Sequence, residues 1–177
     1  PVAIGRVLDR GALGVQVPHV NTAADARRAV EAARFHPLGS RSLAAGTRPA
    51  HYGFSLSPEQ YVAEANREIL VCVQLEDVEA LSNLDEILRV EGVDVFFLGP
   101  SDLSQSMGLP GQSQAPEVQE AMASAFAAIV AAGKVPGSAG SVQAVARYLE
   151  QGCLYVYTHL PGILAAGAAG FLRSVGR

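Results

Sequence analysis

The stretch "VQLEDVEALSNLDEILRVEGVDVFFLGPSDLS", residues 73–104, contains two apolar runs of strand length separated by a segment of helical period. Glu76 stands at the end of the first run, and Asp102 follows the second. Short apolar strands that alternate with longer helical segments are typical of parallel βαβ units. The stretch therefore predicts an α/β fold in which both acids leave the core at the same edge of one parallel sheet.

The same alternation extends along the whole chain, and we predict a single domain over residues 1–177. Most of the candidate strands are too apolar to have a solvated face, as expected of parallel strands covered on both sides. One long irregular segment, rich in Gly, Pro, Ser and Arg, is predicted to form a lid or part of a site. The predicted strands are 13–17, 70–76, 93–99, 134–139 and 154–158, the helices are 4–10, 22–33, 58–68, 79–89, 116–132, 142–151 and 162–174, and the irregular segment is 35–57.

Composition excludes several classes of function. The formal charge of −4 and the lack of a Lys/Arg cluster argue against a nucleic-acid partner. No apolar run reaches the roughly 18 residues of a membrane span. The two cysteines, Cys72 and Cys153, are isolated, which predicts reduced core thiols rather than a disulfide framework. We therefore expect a cytoplasmic domain that acts on small molecules, without membrane or nucleic acid.

The residues at the strand ends suggest a metal site. Gln74 and Glu76 are two positions apart on one strand, so they share a face. Two carboxylates at neighbouring strand ends, Glu76 and Asp102, with no histidine at ligand spacing, suit a hard cation that prefers oxygen ligands. This pattern predicts Mg²⁺ or Mn²⁺, because Zn²⁺ normally requires His or Cys.

Spacing alone leaves a second interpretation open. An acid just after a strand often serves only as the N-cap of the next helix. The neighbouring Gly99 and Pro100 are also compatible with a simple turn. Likewise, His19 and His159 are compatible with rim residues that form hydrogen bonds without a chemical role.

Three segments carry a resemblance to a known family. They are "LDRGALGVQVPHVNTAADARRAVEAARFHPLGSRS", "VQLEDVEALSNLDEILRVEGVDVFFLGPSDLSQSMGLPG" and "PEVQEAMASAFAAIVAAGKVPG". The chain resembles the HpcH/HpaI family of class II pyruvate aldolases from about residue 4 to about residue 173. The most specific signal is the pair formed by "VQ-x-E" and "GPSDLS" at this separation.

The resemblance implies roles for individual residues. Glu76 and Asp102 correspond to the metal ligands, for Mg²⁺ or Mn²⁺ and also Co²⁺. Gln74 and the "GPSD" turn, formed by Gly99, Pro100, Ser101 and Asp102, are implied to hold the pyruvate part of the substrate. A divalent cation would stabilise the enolate of a keto acid, and its partner would be an aldehyde. In the long loop, Arg41 or Arg48 is expected to reach an anionic group on that aldehyde.

The implied fold is a (β/α)8 TIM barrel, with this chain supplying strands four to eight. The family's pyruvate-binding arginine and its general-base histidine would both precede Pro1, and the expected size of the fold predicts an upstream segment of roughly 70 to 80 residues. The segment "YVYTHLPGILAAG", residues 155–167, departs from the family pattern. The wall of the substrate pocket is therefore expected to differ here.

The sequence thus predicts a metal-dependent aldolase that cleaves or forms 4-hydroxy-2-oxo acids and assembles as a homo-oligomer. Lys134, the only lysine, is predicted at the wrong end of a strand for a catalytic imine. Two alternatives remain. One is an acyl-CoA lyase of the citrate lyase β-subunit type, which shares the acid pair. The other is a non-catalytic barrel remnant that acts as a binding module.

Overall fold

The computed structural model describes residues 2–176 and contains one five-stranded parallel sheet. Each strand pairs with the next strand along the chain, so the order in the sheet is the order in the sequence. All five predicted strands are confirmed. They are β1 (Gly14–Val17), β2 (Leu70–Leu75), β3 (Val95–Leu98), β4 (Val135–Ala139) and β5 (Tyr155–Tyr157).

Helices connect the strands and follow the predicted order, with two differences. The predicted helix 79–89 is interrupted at Asn83, whose side-chain amide donates a 2.9 Å hydrogen bond to the backbone oxygen of Asn21. A short helix also begins directly after β3. The helices are α1 (Val2–Leu8), α2 (Ala23–Ala33), α3 (Pro58–Glu68), α4 (Val78–Ser82), α5 (Leu84–Leu88), α6 (Pro100–Ser106), α7 (Pro116–Ala131), α8 (Val142–Glu150) and α9 (Leu160–Ser174), and a 3₁₀ segment covers Arg48–Gly53.

Local sequence explains where two of the helices begin. The Thr22 hydroxyl accepts from the N–H of Asp25, and the Asp25 carboxylate accepts from the N–H of Thr22, which is a capping box at α2. Ser57 and Gln60 form the same motif at α3, where Pro58 occupies the first helical position. These caps satisfy N–H groups that would otherwise lack partners at the helix ends.

The two faces of the sheet pack in two separate hydrophobic clusters. On β2, Val71, Val73 and Leu75 pack in the large core between the sheet and its helices. Cys72 belongs to a second, smaller cluster with Phe97 on the opposite face. Because side chains alternate along a strand, Gln74 and Glu76 share the face of Cys72. The face that carries Cys72, Gln74 and Glu76, which we call the inner face, therefore holds the predicted site. The opposite, outer face provides most of the core.

The sheet is strongly curved. Gln16 on β1 and Tyr155 on β5 belong to the first and last strands, yet the Tyr155 hydroxyl lies 3.5 Å from Oε1 of Gln16. In a flat sheet with strands about 4.8 Å apart, strands this far removed could not touch. The five strands consequently form a half-barrel that encloses the inner face.

Two predictions from composition can be compared with the structure. Cys72 and Cys153 are free and buried, and burial raises the pKa of each thiol to about 12. Both therefore remain protonated core residues, as predicted. Among the helices described between residues 2 and 176, none has the length and apolar character needed to cross a membrane.

Candidate metal and substrate site

An open cavity of about 600 Å³ lies at the carboxyl ends of the strands. Ligands bind at the carboxyl ends of the strands in parallel α/β folds. The cavity brings together every predicted site residue except the loop arginines, Arg41 and Arg48. The residues brought together are Gln74, Glu76, Gly99, Pro100, Ser101 and Asp102.

Glu76 lines the cavity and is buried, with only 2% of its surface exposed. Its Oε1 accepts a 2.9 Å hydrogen bond from the backbone N–H of His19, and its Oε2 accepts a 2.8 Å bond from Nε2 of Gln74. The N-cap position of α4 is occupied by Asp77, not by Glu76. The alternative interpretation of Glu76 as a helix cap is therefore wrong.

Gly99 is required by the position of Glu76. A Cβ atom added to Gly99 would lie 2.6 Å from Oε2 of Glu76 and 2.9 Å from its Cβ. Only a residue without a side chain permits this approach. Sequence reasoning identified Gly99 as part of a substrate-binding turn and missed this steric function, because the contact depends on the packing of β2 against β3.

Asp102 reaches the same cavity from α6. Gly99 is the N-cap of this helix, Pro100 occupies its first position, and Asp102 lies exposed in its first turn. Backbone N–H groups in a first helical turn, here those of Ser101 and Asp102, have no intrahelical partners. The start of α6 therefore presents donors and a carboxylate to the same space.

The donor set fits a hard divalent cation. Glu76 is a buried carboxylate, and within residues 2–176 its only basic neighbour at ion-pair distance is His19, with Nδ1 3.4 Å from Oε1. No group of three or more His, Cys, Asp or Glu residues in the described chain could hold a metal by itself. A cation bound by Glu76 and Asp102 would thus need further oxygen ligands, as Mg²⁺ sites commonly use water and substrate.

His19 has contacts that the sequence did not predict. Its backbone lies in the left-handed region, with φ of +51°, and its Nδ1 lies 3.1 Å from Oδ2 of Asp77. The hydrogen bond to Asp77, and after it the negative charge of Glu76, raise the pKa of the His19 imidazole. No sequence signal indicated these contacts, since His19 and Glu76 are 57 positions apart.

The end of β5 supplies an aromatic part of the cavity, of which the sequence indicated only His159, as a rim residue. The ring of Tyr157 stacks on Phe97 with centroids 5.4 Å apart and an angle of 11°. His159 meets the Tyr157 ring edge-on at 5.8 Å. Phe97 has the sequence character of a core strand residue, so its position beside the cavity follows only from the fold.

The structure places neither of the two loop arginines at the cavity. A Cβ placed on Gly11 would lie 3.7 Å from Cδ of Arg48, so Arg48 lies beside the segment that precedes β1, at the amino end of the sheet. Arg41 is buried, and its Nη2 lies 2.7 Å from Asp9 and 3.1 Å from the Tyr61 hydroxyl. Neither arginine lines the cavity, because the loop follows the end of α2 and packs away from the strand ends.

Lys134 lies where the sequence predicted it. It immediately precedes β4, at the amino end of the strand, and its Nζ is 3.9 Å from Oε1 of Glu91. The cavity is at the opposite end of the sheet. Lys134 is therefore remote from the candidate site.

Comparisons with known proteins agree with this geometry. Residues 2–157 match the model of the family described as HpcH/HpaI aldolase/citrate lyase. A 4-hydroxy-2-oxo-heptane-1,7-dioate aldolase from Salmonella paratyphi B is 43% identical over 175 residues, which are 98% of this chain and 66% of that protein. The chain thus spans about 66% of the length of the curated relatives it matches.

Solved structures show the same fold. An HpcH/HpaI aldolase/citrate lyase family protein from Burkholderia cenocepacia superposes with a TM-score of 0.89 at 31% identity, over 98% of this chain and 69% of that one. An HpcH/HpaI aldolase from Desulfitobacterium hafniense gives a TM-score of 0.85 at 28% identity, over 99% and 69%. The half-barrel is therefore part of a TIM-type barrel, as predicted, and the chain belongs to the HpcH/HpaI aldolase/citrate lyase family.

Proposed function

We propose that the protein containing this chain is a metal-dependent aldolase that cleaves or forms 4-hydroxy-2-oxo acids from pyruvate and an aldehyde. The observation that carries this proposal is Glu76, a buried carboxylate with both oxygens held in place, in one cavity with Asp102. The name of the Salmonella relative, an aldolase for a 4-hydroxy-2-oxo acid, supports the same reaction class.

In this proposal Glu76 and Asp102 hold one Mg²⁺ or Mn²⁺ ion, and Co²⁺ is a possible substitute. When bound, such a cation supplies Lewis acidity that lowers the free energy of the enolate of pyruvate. Gln74 and the His19 N–H fix the orientation of the Glu76 carboxylate. The N–H groups of Ser101 and Asp102 hold the carboxylate of the keto acid, to which the start of a helix is complementary.

The experiment that tests the proposal is exchange of the pyruvate methyl protons with D₂O, followed by NMR. Exchange is expected only with divalent metal present, and Glu76→Gln should reduce it by a factor of about 10² to 10³, comparable to removal of one electrostatic catalytic group. Glu79→Gln, an exposed carboxylate on α4, is the matched control and should exchange normally. Unchanged Mn²⁺ affinity of Glu76→Gln in titration calorimetry would refute the metal assignment.

An imine mechanism makes a different prediction. It requires an amine beside the keto acid, and Lys134 lies at the far end of the sheet. Borohydride is therefore expected not to trap pyruvate on the protein. Mass spectrometry that found a pyruvyl adduct on Lys134 after reduction would replace the metal-enolate mechanism.

A citrate lyase type of reaction on an acyl-CoA thioester is the second candidate, since the family description includes both activities. We rank it lower because the Salmonella relative is named as an aldolase. The third candidate is a binding module without catalysis. We rank it last because the two proposed metal ligands, Glu76 and Asp102, line the same cavity. Retro-aldol turnover of a 4-hydroxy-2-oxo acid, in the absence of any thioester turnover, distinguishes the first candidate from the other two.

The half-barrel also leads us to expect additional structure around the cavity. In the described chain β1 and β5 each have one neighbour, whereas a closed barrel of this type has eight strands. Three further strands should cover these edges and supply a general base. Residues 1–177 alone are therefore expected to turn over substrate more slowly than the closed barrel by a factor of about 10² to 10⁴, and equal rates would place the base within them.

The proposal includes a cytoplasmic homo-oligomer. The two free cysteines agree with a reducing compartment. All of α9 lies within the described residues and none of its residues is buried, although Leu164 and Phe171 are large apolar side chains that are mostly exposed. Light scattering of the purified protein should therefore show a mass above that of one chain.

A further inference from the structure

The end of β5 forms a distinct wall of the cavity, which we define as Phe97, Tyr157 and His159. We infer that this aromatic wall receives the aldehyde partner and selects an uncharged, planar aldehyde, with aromatic aldehydes as the favoured class. The inference rests on the proposed function, because it assigns the second substrate of that reaction.

The geometry of the rings provides the first argument. Phe97 is buried and also contacts Tyr155, whose ring meets it edge-on at 6.2 Å. Tyr157 stacks almost parallel on Phe97 and remains 39% exposed. A ring supported in this way offers a flat surface whose orientation is fixed before binding, and planar groups stack favourably on such surfaces.

His159 gives the wall a polar end. It is the N-cap of α9, but its side chain makes no capping hydrogen bond. Among the side-chain hydrogen bonds found within residues 2–176, none involves this imidazole. The ring is therefore available to hydrogen-bond a neutral oxygen at the edge of a bound aldehyde.

Charge provides an independent argument against an acidic aldehyde. Within the described part of the chain, the cavity is lined by two carboxylates, Glu76 and Asp102, and by no lysine or arginine. Arg41 is paired with Asp9 in the protein interior, and Arg48 lies beside Gly11. Among the residues that the structure describes, a second carboxylate on the substrate would thus find no permanent cationic partner, and desolvating an unpaired charge is costly.

The inference separates this chain from the relative named for 4-hydroxy-2-oxo-heptane-1,7-dioate. Aldol cleavage of that compound gives pyruvate and succinic semialdehyde, an aldehyde that ends in a carboxylate. Benzaldehyde and succinic semialdehyde are consequently the two probes that distinguish an aromatic wall from a carboxylate subsite.

The test is the ratio of kcat/KM for benzaldehyde to kcat/KM for succinic semialdehyde, at saturating pyruvate and Mn²⁺, using the natural protein. The ratio should exceed about 10, as expected for shape selection by an apolar pocket. Tyr157→Leu should lower the ratio about tenfold, while Tyr157→Phe retains it because the ring persists. The matched control is Tyr52→Leu, an exposed tyrosine outside the cavity lining, which should leave the ratio unchanged.

Failure of this inference is distinguishable from failure of the proposed function. Metal-dependent exchange of pyruvate methyl protons by the wild-type protein tests the function without any aldehyde. A ratio below 1 in the wild type, or an equal ratio in Tyr157→Leu, overturns the aromatic wall while the aldolase assignment stands.

A binding measurement decides the inference even without turnover. Benzyl alcohol, which cannot undergo aldol addition, serves as the probe in saturation-transfer NMR. Transfer to its ring protons is expected with the wild type and with Tyr157→Phe and should be lost in Tyr157→Leu. Absence of transfer in the wild type, or equal transfer in Tyr157→Leu, overturns the assignment.

Discussion

The backbone N–H of His19 donates a hydrogen bond of 2.9 Å to Oε1 of Glu76, joining residues 57 positions apart. The bond connects the turn after β1 to the end of β2, two strands whose register pairs Val17 with Val73. His19 points its N–H toward the carboxylate with a left-handed backbone, φ +51°. The orientation of Glu76 therefore depends on the backbone of a neighbouring strand end.

This relationship predicts that the backbone of His19 matters more to Glu76 than its imidazole does. Glycine at position 19 favours the left-handed region and retains the N–H, whereas a β-branched residue is strained there. His19→Val should therefore be less stable than His19→Gly by about 1 kcal/mol, as measured by urea unfolding. In calorimetry we also expect weaker Mn²⁺ binding by His19→Val than by His19→Gly, and the reverse order would contradict this account.

A second prediction concerns the space beside Glu76. Because a Cβ on Gly99 would lie 2.6 Å from Oε2 of Glu76, Gly99→Ala must displace either the carboxylate or the strand. We expect a loss of about 1 to 3 kcal/mol in the free energy of unfolding, typical of overpacking, together with reduced Mn²⁺ affinity. Gly5→Ala is the matched control, since no atom lies within 4 Å of a Cβ at that position, and it should lose neither.

The fold could be predicted from the sequence because the signals for strands and for helix starts are local. Apolar runs and helix caps such as those at Thr22 and Ser57 each depend on a few adjacent residues, and all five predicted strands are confirmed. The same logic placed Glu76 and Asp102 at one edge of the sheet. It did not locate Arg41 and Arg48, which lie away from the described cavity, because loop composition carries no information about which end of the sheet the loop packs against.

The remaining site features depend on contacts between distant segments. The hydrogen bond from His19 and the stack of Phe97 on Tyr157 join different strands. Phe97 has the pattern of an ordinary buried strand residue, and only the curvature of the half-barrel turns it toward the cavity. Such features follow from the tertiary packing of the inner face and leave no periodic signal in one sequence.

A third prediction concerns the ion pair between Arg41 and Asp9. The Arg41 side chain is 1% exposed, and its Nη2 lies 2.7 Å from Oδ1 of Asp9. Removing Asp9 leaves a buried positive charge without compensation, so Asp9→Ala should cost about 3 kcal/mol of stability. The double variant Asp9→Ala/Arg41→Met should recover much of this loss in urea unfolding, because Met keeps the packing without the charge. A double variant less stable than Asp9→Ala would show that the guanidinium stabilises the fold without its partner.

The last prediction concerns pH and the start of α2. The hydrogen bond from the Thr22 hydroxyl, followed by those from the N–H groups of Thr22 and Asn21, lowers the pKa of Asp25 below its ordinary value of 3.8. A carboxyl whose folded-state pKa is depressed stabilises the protein fully above the unfolded-state pKa, and this contribution disappears as the pH falls through the folded-state pKa. The wild type should therefore lose stability from this group as the pH drops below about 4.

Asp25→Asn keeps an acceptor oxygen but cannot titrate, so at pH 6 it should be less stable by about 1 kcal/mol, the usual value of a helix cap. The difference between the two proteins should shrink as the pH approaches 2.5, when urea unfolding curves are compared across that range. A constant difference would show that the charge of Asp25 does not contribute to the cap.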